Sequence, residues 1–222
     1  MATTVTINWF GLSCVRLVAK FDRDEVTVVS DSYDPSRGAK LPRNLSADIL
    51  TVSHDHLSHN YVDGVGGTPF IITGPGEYEV KRVFVYGIAS EHGGRGKEKS
   101  ETPNTMYRFE IGDMSFAHLG DLGHELSDAQ LDRLEDVDVL FLPVGGAGVT
   151  IGAKQATDIV SRVEPRIVIP MHFRLPEFKE TLEPVDKFIR ELGAPKETAE
   201  KLKISKKDLI QEETKVIVLS RA

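Results

Sequence analysis

Residues 48–52, Asp-Ile-Leu-Thr-Val, form a short apolar β-type run that breaks directly into Ser53-His54-Asp55-His56-Leu57-Ser58-His59. Three of the seven histidines in the chain fall within six positions. Neutral imidazole is the commonest protein metal ligand at physiological pH. Imidazoles at i and i+2 converge only if the backbone leaves the strand. His56 and His59, at i and i+3, can share one face of a first helical turn. The run therefore predicts a strand–turn–helix that delivers ligands to one or two adjacent metals.

Strand-type runs surround it. Residues 5–9, 15–19, 26–30, 49–52, 70–73 and 83–88 are short β-type stretches separated by Gly, Pro, Asp and Asn. Residues 91–104 read as one long polar loop, of a length used for lids or left disordered. Residues 106–111 and 114–118 predict a hairpin across Gly112-Asp113. Then the pattern changes. Ser127-Asp128-Ala129-Gln130 is a capping box that predicts a helix to about Glu135. Residues 139–144, 166–171 and 215–220 read as strands, and 153–163 and 184–192 as helices. The strands at 139–144 and 166–171 are continuously apolar, as in strands covered on both faces. The lysines at 196, 201, 203, 206 and 207, mixed with Glu197 and Glu200, read as a solvated helix face. Meanders followed by β-α alternation predict two sheets stacked face to face with helices outside. No linker divides residues 1–222, so a single domain is expected.

Composition narrows the partners. An apolar content of 40% supports a sizeable core, and a net charge of −7 argues against a broad nucleic-acid-binding face. Cys14 is the one cysteine, which excludes an internal disulfide and fits a reducing compartment. It precedes the alternating Val15-Arg16-Leu17-Val18 and reads as a buried strand thiol. The first six residues lack the basic and apolar regions of a signal peptide. No apolar run approaches the roughly 20 residues of a membrane span. The expectation is a cytoplasmic protein with no membrane partner, with a nucleic-acid partner disfavoured and with homo-oligomerisation left open; the small-molecule substrate expected of it comes only with the family resemblance given below.

The second half supplies more metal-type residues. Ala117-His118-Leu119-Gly120-Asp121-Leu122-Gly123-His124 begins where one strand ends, and His172 closes the strand Val168-Ile169-Pro170-Met171. Three strand ends, at 52, 118 and 171, thus deliver histidine, and one adds Asp121. Open sheets place ligands beyond their strand ends. His92, at the start of the polar loop, and Arg174, just after His172, are candidates for contact with substrate. His124 is a candidate to support a ligand or to cap the turn. Residues 145–152 are glycine-rich but miss the dinucleotide spacing, with Ile151 where the third glycine belongs. A tight connection is favoured there, though the following helix N-terminus can take an anionic group.

These residues, in this order, resemble the metallo-β-lactamase superfamily. Its pattern is His-x-His-x-Asp-His after a strand, then a His, an Asp within Gly-Asp, and a last His at another strand end. The matching residues are His54, His56, Ser58, His59, His118, Asp121 and His172. The chain looks most like the branch of small hydrolases that includes L-ascorbate-6-phosphate lactonase. That likeness rests on Gly74-Pro75-Gly76-Glu77-Tyr78-Glu79, on His118 through His124, and on Ile169-Pro170-Met171-His172.

The resemblance implies an α/β fold, the four-layer αββα sandwich, with metals at one edge between the sheets. It implies His54, His56 and His118 on a first metal, and His59, Asp121 and His172 on a second, with Asp121 bridging. Asp121 and His118 would be the catalytic residues. The implied cofactor is one or two divalent transition metals, zinc first, with Mn, Fe or Ni also suited. Ser58 departs from the pattern, because aspartate is expected there and serine is a poor neutral ligand. The implied activity is hydrolysis of a small ester, lactone or phosphate-containing substrate by a metal-activated water. The alternatives are a phosphodiesterase or nuclease of the same fold, against which the acidic balance speaks, and a metal-binding or sensing protein that has lost catalysis, which Ser58 supports.

Overall fold

Period-two alternation builds the first sheet. Strands β1 (Thr4–Gly11), β2 (Cys14–Phe21) and β3 (Asp24–Ser30) form an antiparallel meander. Their side chains separate into two cores. Val15, Leu17, Ala19 and Phe21 face the second sheet. Phe10, Leu12, Cys14 and Val29 face the opposite side, where the loop residues Tyr33, Leu45, Phe178 and Leu182 cover them. Cys14 is fully buried, as its strand context predicts, and burial raises its thiol well above the ordinary range. The computed structural model describes residues 3–93, 102–209 and 213–222.

β4 (Ile49–Thr51) and β5 (Phe70–Ile72) extend the meander in parallel from β3. The chain then crosses to a second sheet. Strands β6 (Gly76–Val80), β7 (Val83–His92), β8 (Thr102–Ile111) and β9 (Met114–His118) run antiparallel. The hairpin across Gly112-Asp113 is present, with Ile111 opposite Met114. Helix α1 (Asp128–Asp132) starts at the expected capping box, with Ser127 and Gln130 bonding reciprocally. β10 (Val139–Pro143), α2 (Ala153–Val163), β11 (Ile167–Met171) and α3 (Val185–Leu192) follow as predicted. β12 (Lys196–Ala199), β13 (Leu202–Ser205) and β14 (Lys215–Leu219) complete the chain.

The first sheet has the order β13-β1-β2-β3-β4-β5, and the second β12-β14-β11-β10-β9-β8-β7-β6. Strands β9, β10, β11, β14 and β12 are parallel. The buried strand Tyr107 hydroxyl ties the sheets together, donating to the carbonyls of Val52 at 2.8 Å and Ile72 at 3.1 Å.

Two expectations change. The solvated helix expected over the lysines at 196–207 is instead the strands β12 and β13 followed by a 3-10 turn. Leu202-Lys203-Ile204 alternates with period two, so Ile204 is buried and Lys203 exposed against β1. The loop expected over 91–104 is shorter, because β7 and β8 pair out to His92 and Thr102. Its centre, where a lid was considered, lies outside the described residues. No described helix is long and apolar enough to cross a membrane.

Candidate metal centre

Strands β3 and β4 are parallel and end side by side, with Ser30 opposite Thr51. Asp31 and Ser53 therefore leave the sheet as neighbours. Asp31 turns sharply, with φ +51°, and its buried carboxylate organises the loop that follows β4. It accepts from Ser53 N at 2.8 Å, Ser53 Oγ at 2.7 Å and His59 Nδ1 at 2.8 Å. The single hydroxyl proton of Ser53 is committed to Asp31. The 3.2 Å contact between Ser53 Oγ and His54 Nδ1 then places a proton on His54 Nδ1 and leaves Nε2 bare. His59 likewise donates from Nδ1, so its Nε2 faces Asp121 Oδ2 at 3.6 Å.

The second sheet brings its groups to the same edge. After β9 the chain turns at Gly120, φ +61°, where a Cβ would stand 2.5 Å from Asn104 Oδ1 and 2.6 Å from Ser53 Cβ. Asn104 Oδ1 accepts from Asp121 N at 3.0 Å, while its amide donates to Leu119 O and Ser90 Oγ. Residues 119–124 also clamp the end of β7. Gly123 N donates to Glu91 O, and Glu91 N donates to His124 Nε2. A Cβ on Gly123 would sit 1.7 Å from Gly93 N, so only glycine permits this approach. The clamp lays His92 on Asp121, with Nδ1 at 3.1 Å from its carbonyl oxygen and 3.4 Å from Oδ2. His172, φ +49°, leaves β11 with its N bonded to Leu12 O, and its Nδ1 lies 3.0 Å from Asp121 Oδ1.

Six side chains thus converge. Among the described residues, three overlapping groups have donor atoms within 4.8 Å of one another: His54, His56 and His59; His54, His92 and Asp121; His59, Asp121 and His172. His54 Nε2, His59 Nε2, Asp121 Oδ1 and both nitrogens of His172 are buried without a hydrogen-bond partner. The 3.0 Å contact between His172 and Asp121 is close enough for an ion pair but out of line for a hydrogen bond. Each orphaned buried polar atom costs about 1–3 kcal/mol. Five in one place are hard to sustain unless a cation satisfies them. A nitrogen-rich set with one carboxylate fits a divalent transition metal.

Without an ion, His54 and Asp121 hold the protonation states a metal requires, and His59 must give up a proton to join them. Burial, reinforced by the neighbouring His59, pushes His54 down to about 3, so its ring is neutral. Burial would raise Asp121, but the His172 and His59 rings outweigh it and hold the carboxyl well below the usual range. His59 is driven down by burial and up by Asp31 and Asp121, and it settles at about 9.

The other sequence candidates fall into place around this cluster. His118 does not join it. Its Nε2 donates to Ser13 O at 2.8 Å and its Nδ1 accepts from Gly120 N at 3.2 Å, so both nitrogens are occupied. His92, read from the sequence only as a substrate contact, is in the cluster instead. His56 is exposed, and its Nδ1 accepts from Ser58 N at 3.3 Å. His124 bonds to Glu91 N and to Glu125 O, which makes it a support for the strand that carries His92. Arg174 is exposed, and its backbone N donates to Glu183 O. Ser58 is buried and donates to Glu180. Residues 145–152 connect β10 to α2, with Gly152 as N-cap. Sequence reasoning missed Asp31, Asn104 and Glu180. Only Asp31 carried a signal, as an acidic residue directly after an apolar strand.

Comparison with known proteins is consistent across three lines. The family profile of the Beta-lactamase superfamily domain matches residues 6–172. A UPF0173 protein of Pyrococcus furiosus is 30% identical, over 75% of this chain and 82% of its own length. A UPF0173 metal-dependent hydrolase of Methanopyrus kandleri is 24% identical, over 84% of this chain and 92% of its own. A solved Thermotoga maritima structure, assigned to Zn-dependent hydrolases of the metallo-β-lactamase superfamily, has a TM-score of 0.77 at 32% identity and covers 97% of this chain and 100% of that one. Igni18, a metallo hydrolase of Ignicoccus hospitalis, has a TM-score of 0.66 over 99% of this chain and 96% of its own, and at 17% identity it shares the fold.

Proposed function

The chain belongs to the metallo-β-lactamase superfamily and is a metal-dependent hydrolase, and from that premise we propose that it cleaves a small ester, lactone or phosphate-containing substrate at a centre of one or two divalent transition metals, zinc first. The observation that carries this reading is the set of buried nitrogen and oxygen atoms around Asp121 that lack a hydrogen-bond partner. We assign His54, His92 and Asp121, with His56 beside them, to one metal, and His59, Asp121 and His172 to the other. His92 takes the place that the family resemblance gave to His118.

A bound divalent ion lowers the pKa of its water to roughly 7 and polarises the attacked bond. The residues of the chain do the rest. Asp31 fixes the tautomers of His54 and His59, one through Ser53 and one directly. Asp121, ionised, belongs to both groups and would serve as shared ligand and orienting carboxylate. His118, kept neutral by burial, ties the turn at Ser13 to the loop carrying Asp121 and so positions it. Beside the centre lies a cavity of about 320 Å³, lined by Gly93, Gly123, Gly146, Gly148, Thr150 and Lys187. Its size suits a small molecule. A larger one, about 970 Å³, is lined by residues that include those just before β10 and β11 and by none of the histidines.

The test is a panel of esters, lactones, phosphomonoesters and phosphodiesters, assayed with metal, after chelation and after reconstitution. Hydrolysis that follows the metal supports the reading. Metal binding with no hydrolysis across the panel would favour a protein that has lost catalysis.

A further inference from the structure

Ser58 is the one departure from the ligand pattern of the family, and the fold gives this position a partner. Ser58 is buried, and its Oγ donates to Glu180 Oε1 at 2.8 Å. Glu180 lies 122 positions along, between β11 and α3. Arg37 Nε donates to the same oxygen at 2.7 Å. The other carboxylate oxygen, Oε2, is buried without a partner.

This is not how a purely structural ion pair is built. An arginine that pins a carboxylate usually engages both oxygens in a fork. Here one oxygen is shared between Arg37 and a hydroxyl of the ligand loop, and the second is left unpaired in the interior. The single proton of Ser58 is committed to Glu180, so the lone pairs of Oγ are turned away from it. Donation to a carboxylate also enriches that oxygen in electron density relative to a free hydroxyl.

We propose that Ser58 and Glu180 together replace the aspartate expected at position 58: Ser58 Oγ is the contact atom, and Glu180 supplies the charge, for the metal held by His59, Asp121 and His172. Glu180 is a positioning residue. Among the described residues, Glu180 is in none of the groups with ligand atoms within 4.8 Å of one another, so its part is played through Ser58 and not as a ligand itself. The inference rests on the metal-centre reading above.

The test is calorimetric titration of Zn²⁺ into chelator-stripped full-length protein, with circular dichroism to verify folding. Wild type binds two ions. Glu180→Gln and Ser58→Ala each weaken one of them at least tenfold and leave the other unchanged. Arg37→Met breaks the ion pair but spares the carboxylate, so both ions bind as tightly as in wild type, or the second more tightly. Ser58→Asp combined with Glu180→Gln returns the charge to the loop and recovers the second ion. Wild-type affinities in Glu180→Gln would overturn the proposal. So would equal weakening in Arg37→Met and Glu180→Gln, which is the signature of loop pinning alone, or failure of the double variant to recover binding. A wild type with a single ion also overturns it while leaving the hydrolase reading in place. No ion at all removes that reading.

Discussion

Asp31 Oδ2 lies 2.8 Å from His59 Nδ1, with both side chains fully buried. The same carboxylate holds Ser53, and through it His54. Asp31 touches no proposed metal, yet it sets which nitrogen two of the ligands present. Carboxylates in this position typically control metal affinity by 10–100-fold. Asp31→Asn keeps the size but loses the charge and one acceptor oxygen, so affinity should fall by about that factor. Competition against a chromophoric chelator measures it, and an affinity within twofold of wild type would contradict the assignment.

The same pair sets a pH dependence for the ion-free protein. His59 is raised to about 9, because Asp31 and Asp121 outweigh burial. Its unfolded value is about 6.5. Its contribution to stability is therefore complete below about pH 6.5 and is lost as pH rises through about 9. Asp31 and Asp121 lie below their ordinary value of 3.8 despite burial, so their contribution is present above it and lost on acidification. His54 and His118 are held neutral by burial, so they take stability away as pH falls below about 6.5, and chelator-treated protein should show its highest Tm at roughly pH 6.5 and a falling Tm toward pH 9.5. Metal displaces the His59 proton and should remove the alkaline fall. A flat Tm across that alkaline range without metal would sink this account.

His92 and His118 should respond in opposite ways. His92→Ala removes a donor from the group around Asp121 and should reduce the metal bound per chain. His118→Ala leaves the Ser13 carbonyl and the Gly120 N–H unpaired in the interior, which costs about 1–3 kcal/mol of stability. It should lower Tm while leaving metal stoichiometry unchanged. Elemental analysis and thermal denaturation of both variants decide it, and the reverse pattern would restore His118 as the ligand.

Tyr107 joins the two sheets directly behind the ligand loop, since Val52 immediately precedes Ser53. Tyr107→Phe removes the one hydroxyl that serves both carbonyls and should cost about 1–3 kcal/mol. Urea denaturation reads this directly. A change below about 0.3 kcal/mol would show that the two carbonyls are satisfied without it.

Much of this was legible in the sequence. Apolar periodicity placed α2 and the buried strands, and the capping box placed the start of α1. The run at 53–59, with Asp121 and His172, pointed to the proposed centre because strand ends there carry ligand chemistry. His92 was legible only as a substrate contact, because the ligand role proposed for it depends on Gly123 packing against Gly93, a contact across 30 positions that no local pattern records. His118 could not be told from a ligand in the sequence, because a histidine ending a buried strand looks the same whether it faces a metal or, as here, a backbone carbonyl. Strands β12 and β13 were read as helix because Lys and Glu carry little β signal. Only pairing with β14 and β1 makes them strands.

Diffraction from metal-loaded crystals at the absorption edge of the bound ion tests the central claim most directly. The account predicts anomalous peaks within bonding distance of Asp121, one shared with His54 and His92 and the other with His59 and His172. No peak at Asp121, or a peak on His118 with His92 turned away, would contradict it.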